Sequence, residues 1–231
     1  MNSTAIADAR PAFTHAARIN HSFTATIEKR TLQWMAARTP CWISSDHLTA
    51  LGFAAQIAAG VCYALARHHR GALLLVIVCL FLNWVGDSLD GTLARVRQQQ
   101  RPRYGFYVDH VVDIFGAGAL MLGLGFSGFL HWPVAAAMLV AFLLLSAESY
   151  LATYTLSRFQ MSQGFFGPTE IRILLAVGNL ALLRNPFASI WGHRLLLFDV
   201  GGTIAVVVML AMTAVTAARH TAELYRQEPL P

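Results

Sequence analysis

Long stretches almost free of charge are the feature that most limits what this chain can fold into. They occupy about 48–66, 71–86, 114–147, 173–183 and 200–218. A membrane-spanning helix needs about 20 apolar residues, and the third stretch is long enough for two helices separated near Gly128 and Trp132-Pro133. We therefore predict an all-α integral membrane protein with six transmembrane helices, at about 48–66, 71–94, 106–127, 133–156, 169–184 and 197–218.

The distribution of charge supports a membrane protein and argues against a nucleic-acid partner. Only 13% of residues are charged, against about 25% in soluble domains. The net charge is +5, but in the six-helix arrangement 13 of the 17 basic residues fall on the side that holds both termini. Such a bias places that side in the cytoplasm. We expect the basic excess to serve anionic lipid headgroups or a phosphate-bearing substrate.

The chain divides into four parts. Residues 1–20 are predicted to be disordered or weakly ordered, residues 21–47 to form an amphipathic helix and a linker, residues 48–218 to form the six-helix membrane domain, and residues 219–231 to form a cytoplasmic tail. Within the second part, an apolar stripe at helical spacing comprises Phe23, Ile27, Thr31, Trp34 and Met35. This N-terminal cytoplasmic helix would either lie in the membrane interface or pack on the ends of the bundle.

Four aspartates lie within 27 residues, between apolar runs, although the chain has only twelve acidic residues. Asp87 and Asp90 are three residues apart, and Asp109 and Asp113 are four apart, so each pair shares one helix face. Two adjacent antiparallel helices would then direct all four carboxylates to one point. A carboxylate at bilayer depth costs roughly 2.5–3.5 kcal/mol. Hard oxygens with no cysteine nearby favour Mg²⁺ or Mn²⁺ over zinc.

The residues around these aspartates indicate diphosphate chemistry. Gly91, Ala94 and Gly105 leave room beside the helices. Arg95 supplies a planar fork that fits a phosphate, and a divalent metal can stabilise the charge that develops as a phosphate leaves. The alternative is a structural set of carboxylates paired with neighbouring arginines, for which the candidates are Arg97, Arg101 and Arg103.

The pattern Asp-x2-Asp-Gly-x2-Ala-Arg, a spacer, then Gly-x3-Asp-x3-Asp resembles the signature of the CDP-alcohol phosphotransferases. Each fixed residue type is present, at Asp87, Asp90, Gly91, Ala94, Arg95, Gly105, Asp109 and Asp113. The spacer is one residue longer than is usual in that family. The resemblance also extends to the six predicted membrane helices and the cytoplasmic N-terminal helix.

The resemblance implies a specific reaction. Such enzymes transfer the phosphoryl-alcohol part of a CDP-linked alcohol to the hydroxyl of a second alcohol and release CMP. By motif position, one or two divalent ions would be bound by Asp87, Asp90, Asp109 and Asp113, and Asp113 would also be the catalytic base. The CDP site would be lined by Asp90, Gly91, Ala94, Arg95 and Gly105. The family further implies a homodimer.

Several questions stay open at the level of sequence. CDP-diacylglycerol with a small polar acceptor is the favoured substrate pair, and a CDP-choline or CDP-ethanolamine type of donor with diacylglycerol as acceptor is the alternative. Arg158 and Arg172 are candidates for binding the acceptor or a headgroup, although Arg172 could instead pair with Glu170 or Glu148. Glu148 could bind an acceptor or join two helices.

Three other classes compete with this interpretation. A cation transporter or an inactive metal-binding membrane protein would use the same aspartates, and Asn83 with Asp87 and Asp90 faintly resembles a motif of membrane aromatic prenyltransferases. The basic residues are sixteen arginines and one lysine, which indicates a GC-rich genome and hence a bacterial plasma membrane.

Overall fold

The computed structural model describes residues 17–19, 25–156, 158–160, 167–190 and 192–228. Within these residues the chain forms seven helices and four short strands. In chain order the elements are β1 Ala17–Ile19, α1 Ala25–Arg38, α2 Ser45–Ala66, α3 Ala72–Val96, α4 Pro102–Phe126, α5 Trp132–Leu156, β2 Arg158–Gln160, α6 Pro168–Arg184, β3 Phe187–Ile190, β4 His193–Leu196 and α7 Leu197–Gln227.

A helix occupies each of the six stretches predicted to cross the membrane. Across the described ranges, five of these helices (α2, α3, α4, α5 and α7) are long and apolar enough to span a bilayer. Helix α6 has 17 residues and is the shortest of the six. The mostly helical chain is thus consistent with an all-α membrane protein, while the sixth crossing stays a prediction. Helix α7 continues to Gln227, past the predicted end at 218.

The core lies between α2, α3, α4 and α6. Tyr63, Leu73, Leu124 and Leu182 are buried there almost completely, and α2 makes most of its contacts with α3 and α4. Helices α5 and α7 pack mainly on each other, with α5 also contacting α4. Helix α2 therefore packs on both α3 and α4, the two helices that carry the four aspartates.

Helix α1 packs across the end of α3 with a face that shares Met35 with the predicted stripe. Leu32 and Ala36 are its buried residues, and they contact a cluster that includes Leu89 and Leu93 of α3. Trp34 of the predicted stripe is 58% exposed. Because α1 meets a neighbouring helix, packing rather than the pattern of α1 alone selects its buried face. Phe23 and the side chain of Ile27 lie outside the described part of the chain.

Two small strand pairs were not predicted. Strand β1, which lies in the segment expected to be weakly ordered, pairs in parallel with β2. Strands β3 and β4 form an antiparallel hairpin between α6 and α7, and Gly192 adopts φ +81° in its turn. Each of these strands has only three or four residues, so none contains the run of alternating residues by which a strand is normally recognised.

Candidate active site

A short turn connects the end of α3 to the start of α4. Helix α3 ends at Val96, and α4 begins at Pro102. Gln98 adopts φ +55° between them, and the N–H of Gln99 donates to the carbonyl of Ala94 at 2.9 Å. Of the nine spacer residues, 96 and 102–104 are helical and 97–101 form the turn.

Three of the four predicted carboxylates meet at this end of the bundle. Asp87 of α3 and Asp109 and Asp113 of α4 each place a carboxylate oxygen within 4.8 Å of the other two, and all three residues are partly buried. We call this set the aspartate cluster. Its formation follows from the predicted helix spacing, because Asp109 and Asp113 are one turn apart and face α3 together.

Close helix contacts through glycine hold α2 against both aspartate-bearing helices. A Cβ on Gly86 of α3 would lie 2.5 Å from the carbonyl oxygen of Leu48 and from the backbone nitrogen of Gly52 on α2. A Cβ on Gly123 of α4 would lie 2.0 Å from the carbonyl oxygen of Gly60. Neither position has room for a side chain. These contacts hold α3 and α4 closely against α2, as small residues commonly do between membrane helices.

Asp90 lies next to the aspartate cluster and is held by the start of α2. Its Oδ2 accepts a 2.6 Å hydrogen bond from Thr49, its Oδ1 accepts one from the N–H of Gly91, and its backbone carbonyl accepts one of 2.9 Å from Ser45. Asp90 lines the same narrow crevice as the cluster. The crevice has a volume of about 10 Å³ and is lined by Thr49, Gly52, Phe53, Gln56, Asn83, Asp87, Asp90, Asp109, Val112 and Asp113.

The donor set of this crevice fits a divalent cation. Carboxylate oxygens from three residues converge within 4.8 Å. The other polar residues lining the crevice are Asp90, with a fourth carboxylate, and Thr49, Gln56 and Asn83, with hydroxyl or amide groups. Oxygen-only donor sets of this kind suit Mg²⁺ or Mn²⁺. His110 is not part of the cluster, as its position about 100° round α4 predicts. Its Nδ1 lies 2.6 Å from the carbonyl of Phe106, and its ring meets Tyr150 edge-on.

Arg172 of α6 contacts the aspartate cluster directly. Its Nη2 donates to Asp87 Oδ2 at 2.5 Å, and its Nε donates to Asn83 Oδ1 at 2.8 Å. Its Nη1 is buried without a hydrogen-bond partner in the described ranges. Neither suggested ion pair, with Glu170 or with Glu148, is the one formed here. Glu170 instead accepts the N–H of Gly167 at the start of α6, and Glu148 pairs with His220 of α7 at 2.5 Å.

The other motif residues, Gly91, Ala94, Arg95 and Gly105, do not line the crevice. Arg95 is exposed, and its Nη2 donates to the hydroxyl of Thr92 at 3.0 Å. Gly91 is partly buried, and a Cβ on Gly105 would meet nothing within 4 Å. A larger cavity of about 440 Å³ lies beside them and is lined by Ser44, Ser45, Asp46, Leu93, Ala94, Arg97, Gln99, Gln100 and Arg101.

Two of the arginines considered as structural partners of the carboxylates contact other groups. Arg97 donates to the backbone carbonyls of Thr39, Pro40 and Ile43 at 2.5–2.9 Å and so fixes the α1–α2 linker. Arg101 pairs with Asp46 at the start of α2. Both contacts shape the large cavity.

Some residues of the site were not identified from sequence. Thr49 and Ser45, which donate hydrogen bonds to Asp90, are two of them. The available signal is their spacing of four residues, which places both hydroxyls on one face of α2. The side chain of Arg158, the other predicted acceptor-binding residue, lies outside the described residues.

Comparison with known proteins identifies the family of this chain. A family model described as CDP-alcohol phosphatidyltransferase matches residues 42–219. The chain belongs to the CDP-alcohol phosphatidyltransferase family. The matched range contains every residue of the aspartate motif, and it confirms the resemblance seen in the sequence. Members of this family are transferases of membrane phospholipid synthesis, so the protein is an enzyme of the CDP-alcohol phosphatidyltransferase type.

Two individual proteins are similar to this family member. The inner membrane protein YnbA of Escherichia coli strain K12 is 28% identical over 181 residues, covering 77% of this chain and 83% of YnbA. The crystal structure of Mycobacterium tuberculosis phosphatidylinositol phosphate synthase (PgsA1) with CDP-DAG bound has a TM-score of 0.55 at 19% identity. It covers 87% of this chain and 94% of the synthase, and it establishes a shared fold.

Proposed function

We propose that the protein transfers the phosphatidyl group of CDP-diacylglycerol to the hydroxyl of a small polar alcohol, with release of CMP. The observation that carries this proposal is the convergence of Asp87, Asp109 and Asp113 within 4.8 Å in a chain of this family. The structural neighbour with CDP-DAG bound supports the choice of donor.

The chemistry requires one proton transfer and one displacement at phosphorus. Asp113 would accept the proton of the acceptor hydroxyl, and that oxygen would attack the phosphorus that carries diacylglycerol. The bond from this phosphorus to the CMP oxygen breaks as the new phosphorus–oxygen bond forms, and CMP leaves. A base must lie within hydrogen-bond reach of the proton that it removes, and Asp113 lines the crevice where the hydroxyl would approach.

Mg²⁺ or Mn²⁺, as one or two ions, would be held by the aspartate cluster together with Asp90. When bound, such an ion supplies positive charge that neutralises the diphosphate as CMP departs. The carboxylates are themselves held in position, because Thr49 of α2 donates to Asp90 and Arg172 of α6 donates to Asp87.

The large cavity beside Ala94 is the proposed nucleotide site. Its volume of about 440 Å³ lies within the range of small-molecule pockets, about 300–1,000 Å³. Asp90, Gly91, Arg95 and Gly105 would border the diphosphate between this cavity and the crevice. Arg172, and Arg158 if its side chain reaches the site, would face an anionic acceptor or headgroup.

The proposed setting is a bacterial inner membrane with the aspartate end facing the cytoplasm. The excess of basic residues on that side supports the orientation, and the similarity to an inner membrane protein supports the location. We further propose that α6 completes six membrane crossings and that the protein acts as a homodimer.

CMP release by purified protein in detergent tests the function. CDP-diacylglycerol, Mn²⁺ or Mg²⁺ and one acceptor at a time would be supplied, and we expect CMP to form with one acceptor class. Asp113→Asn should lower the rate by about 10²–10⁴-fold, as expected for loss of a general base. Asp199→Asn is the matched control, because Asp199 contacts His131 at the opposite end of the bundle.

The other outcomes identify the competing functions. CMP formed from CDP-choline or CDP-ethanolamine with diacylglycerol would reverse the roles of donor and acceptor. Ion flux in vesicles without CMP release would favour a cation transporter. Binding of metal without either activity would favour an inactive metal-binding protein.

A further inference from the structure

Glu28 of α1 makes an unusual set of contacts for a residue near the start of a surface helix. Its Oε1 accepts hydrogen bonds from the indole N–H of Trp84 at 3.0 Å, from Ser88 Oγ at 3.1 Å and from Thr169 Oγ1 at 2.8 Å. Trp84 and Ser88 belong to α3, and Thr169 belongs to α6. One carboxylate oxygen therefore joins three helices.

These contacts lie next to the link between Arg172 and the aspartate cluster. On α3, Trp84 and Ser88 form one row of side chains, and Asn83 and Asp87 form the adjacent row. On α6, Thr169 lies three residues before Arg172, so the two side chains project toward the same side. Helices α3 and α6 are thus joined by two neighbouring polar contacts, one through Glu28 and one through Arg172.

These two polar contacts tie the start of α6 to α3 at the aspartate end. In the described ranges, α6 packs chiefly on α3 and makes few contacts with α7. Exposed apolar side chains such as Ile171, Ile173 and Leu174 cover its other faces. A change at Glu28 would release Thr169 and let the start of α6 shift, carrying Arg172 with it.

We propose that Glu28 is a positioning residue for the reaction. It holds the start of α6 against α3, so that Arg172 keeps the Asp87 carboxylate directed at Asp109 and Asp113. Helix α1 thereby forms part of the active-site support as well as packing on the bundle. This inference rests on the proposed function, and it gives α1 a defined role in metal binding.

Two readouts test the role of Glu28, and one of them does not require activity. Mn²⁺ binding to purified protein in detergent is followed by the loss of the electron paramagnetic resonance signal of free Mn²⁺. CMP release from CDP-diacylglycerol gives the Mn²⁺ concentration for half-maximal rate. We expect Glu28→Ala to raise both the Mn²⁺ dissociation constant and this half-maximal concentration about tenfold, the scale expected when hydrogen bonds to a charged group are lost.

Conservative variants separate positioning from general stability. Glu28→Gln keeps an acceptor oxygen and should recover part of the Mn²⁺ affinity. Thr169→Val should shift Mn²⁺ binding in the same direction as Glu28→Ala, whereas Thr169→Ser should restore it. Glu228→Gln, at the exposed end of α7, is the matched control and should behave as wild type.

A double-variant comparison tests whether Glu28 acts through Arg172. Arg172→Lys retains the positive charge but loses the fork that contacts both Asn83 and Asp87. Adding Glu28→Ala to Arg172→Lys should weaken Mn²⁺ binding little further, because both changes release the same carboxylate. Full additivity of the two effects would contradict the inference.

The inference and the proposed function can fail separately. Wild-type Mn²⁺ affinity in Glu28→Ala and Thr169→Val would overturn the inference, as would a lowered melting temperature with unchanged affinity. Thr169→Val decides the question if Glu28→Ala does not fold. If the wild-type protein binds Mn²⁺ but releases no CMP, the proposed function fails, and the resonance comparison still tests the role of Glu28.

Discussion

At the scale of single residues, the aspartates of the site differ in their partners. Asp87 contacts a guanidinium from α6, whereas Asp90 contacts a hydroxyl from α2. Asp109 and Asp113 belong to α4 and line the same crevice as Asp87 and Asp90. Asp87 and Asp90 therefore have separate supports, and a variant of each support should affect the site differently.

Thr49→Val should impair the site while leaving the fold intact. The variant removes the 2.6 Å hydrogen bond to Asp90, and a hydrogen bond to a charged group contributes about 1.5–3 kcal/mol. We expect kcat/KM for CDP-diacylglycerol to fall at least about tenfold. Thr49→Ser, which keeps the hydroxyl, should restore most of the activity. Equal activity in Thr49→Val and wild type would show that this contact does not position Asp90.

Local spacing predicted the carboxylate pairs, because residues three and four apart share a helix face. Local spacing did not predict the contacts that these aspartates make with other helices. Thr49 lies 41 residues before Asp90, and Arg172 lies 85 residues after Asp87. Such contacts depend on which helices become neighbours, and that information is not contained in the period of any one helix. The contact of Arg172 with Asp87 was therefore not among the alternatives that the sequence offered.

At the scale of helices, glycine contacts determine how closely α2, α3 and α4 approach. Gly123→Ala should destabilise the protein by about 1–3 kcal/mol, the usual cost of overpacking, because its Cβ would lie 2.0 Å from the carbonyl oxygen of Gly60. Gly118→Ala is the matched control on the same helix, since a Cβ there meets nothing within 4 Å. Its melting temperature in detergent should equal that of wild type or exceed it slightly. Equal melting temperatures for both variants would contradict the packing described here.

Helix positions could be predicted to within a few residues where a proline lies at the start of the helix. Pro102, Trp132-Pro133 and Pro168 lie at the starts of α4, α5 and α6, where proline is tolerated because its missing N–H would have no helical partner. The extension of α7 to Gln227 was missed because its last turns are polar. An apolar run marks the length of a membrane span and does not mark the end of a helix that continues beyond it.

At the scale of the whole molecule, six membrane crossings require the two ends of the bundle to face opposite sides of a membrane. Cys41 is exposed at the aspartate end, and Ser189 is exposed in the β3–β4 hairpin at the other end. In a protein with Cys62 and Cys79 replaced by alanine, an impermeant maleimide should label Cys41 in inverted vesicles only. Ser189→Cys, in the same background with Cys41→Ala, should be labelled in spheroplasts only. Labelling of both positions from one side would contradict six crossings.

The central claim is that the aspartate cluster forms a metal-dependent site for release of CMP from CDP-diacylglycerol. The most direct measurement is acceptor-dependent CMP release as a function of Mn²⁺ concentration, in wild type, Asp109→Asn and Asp199→Asn. We predict no release in the presence of a chelator, saturable restoration by Mn²⁺ in wild type and Asp199→Asn, and at least a hundredfold loss in Asp109→Asn. CMP release that persists in the chelator, or that is unchanged in Asp109→Asn, would contradict the account.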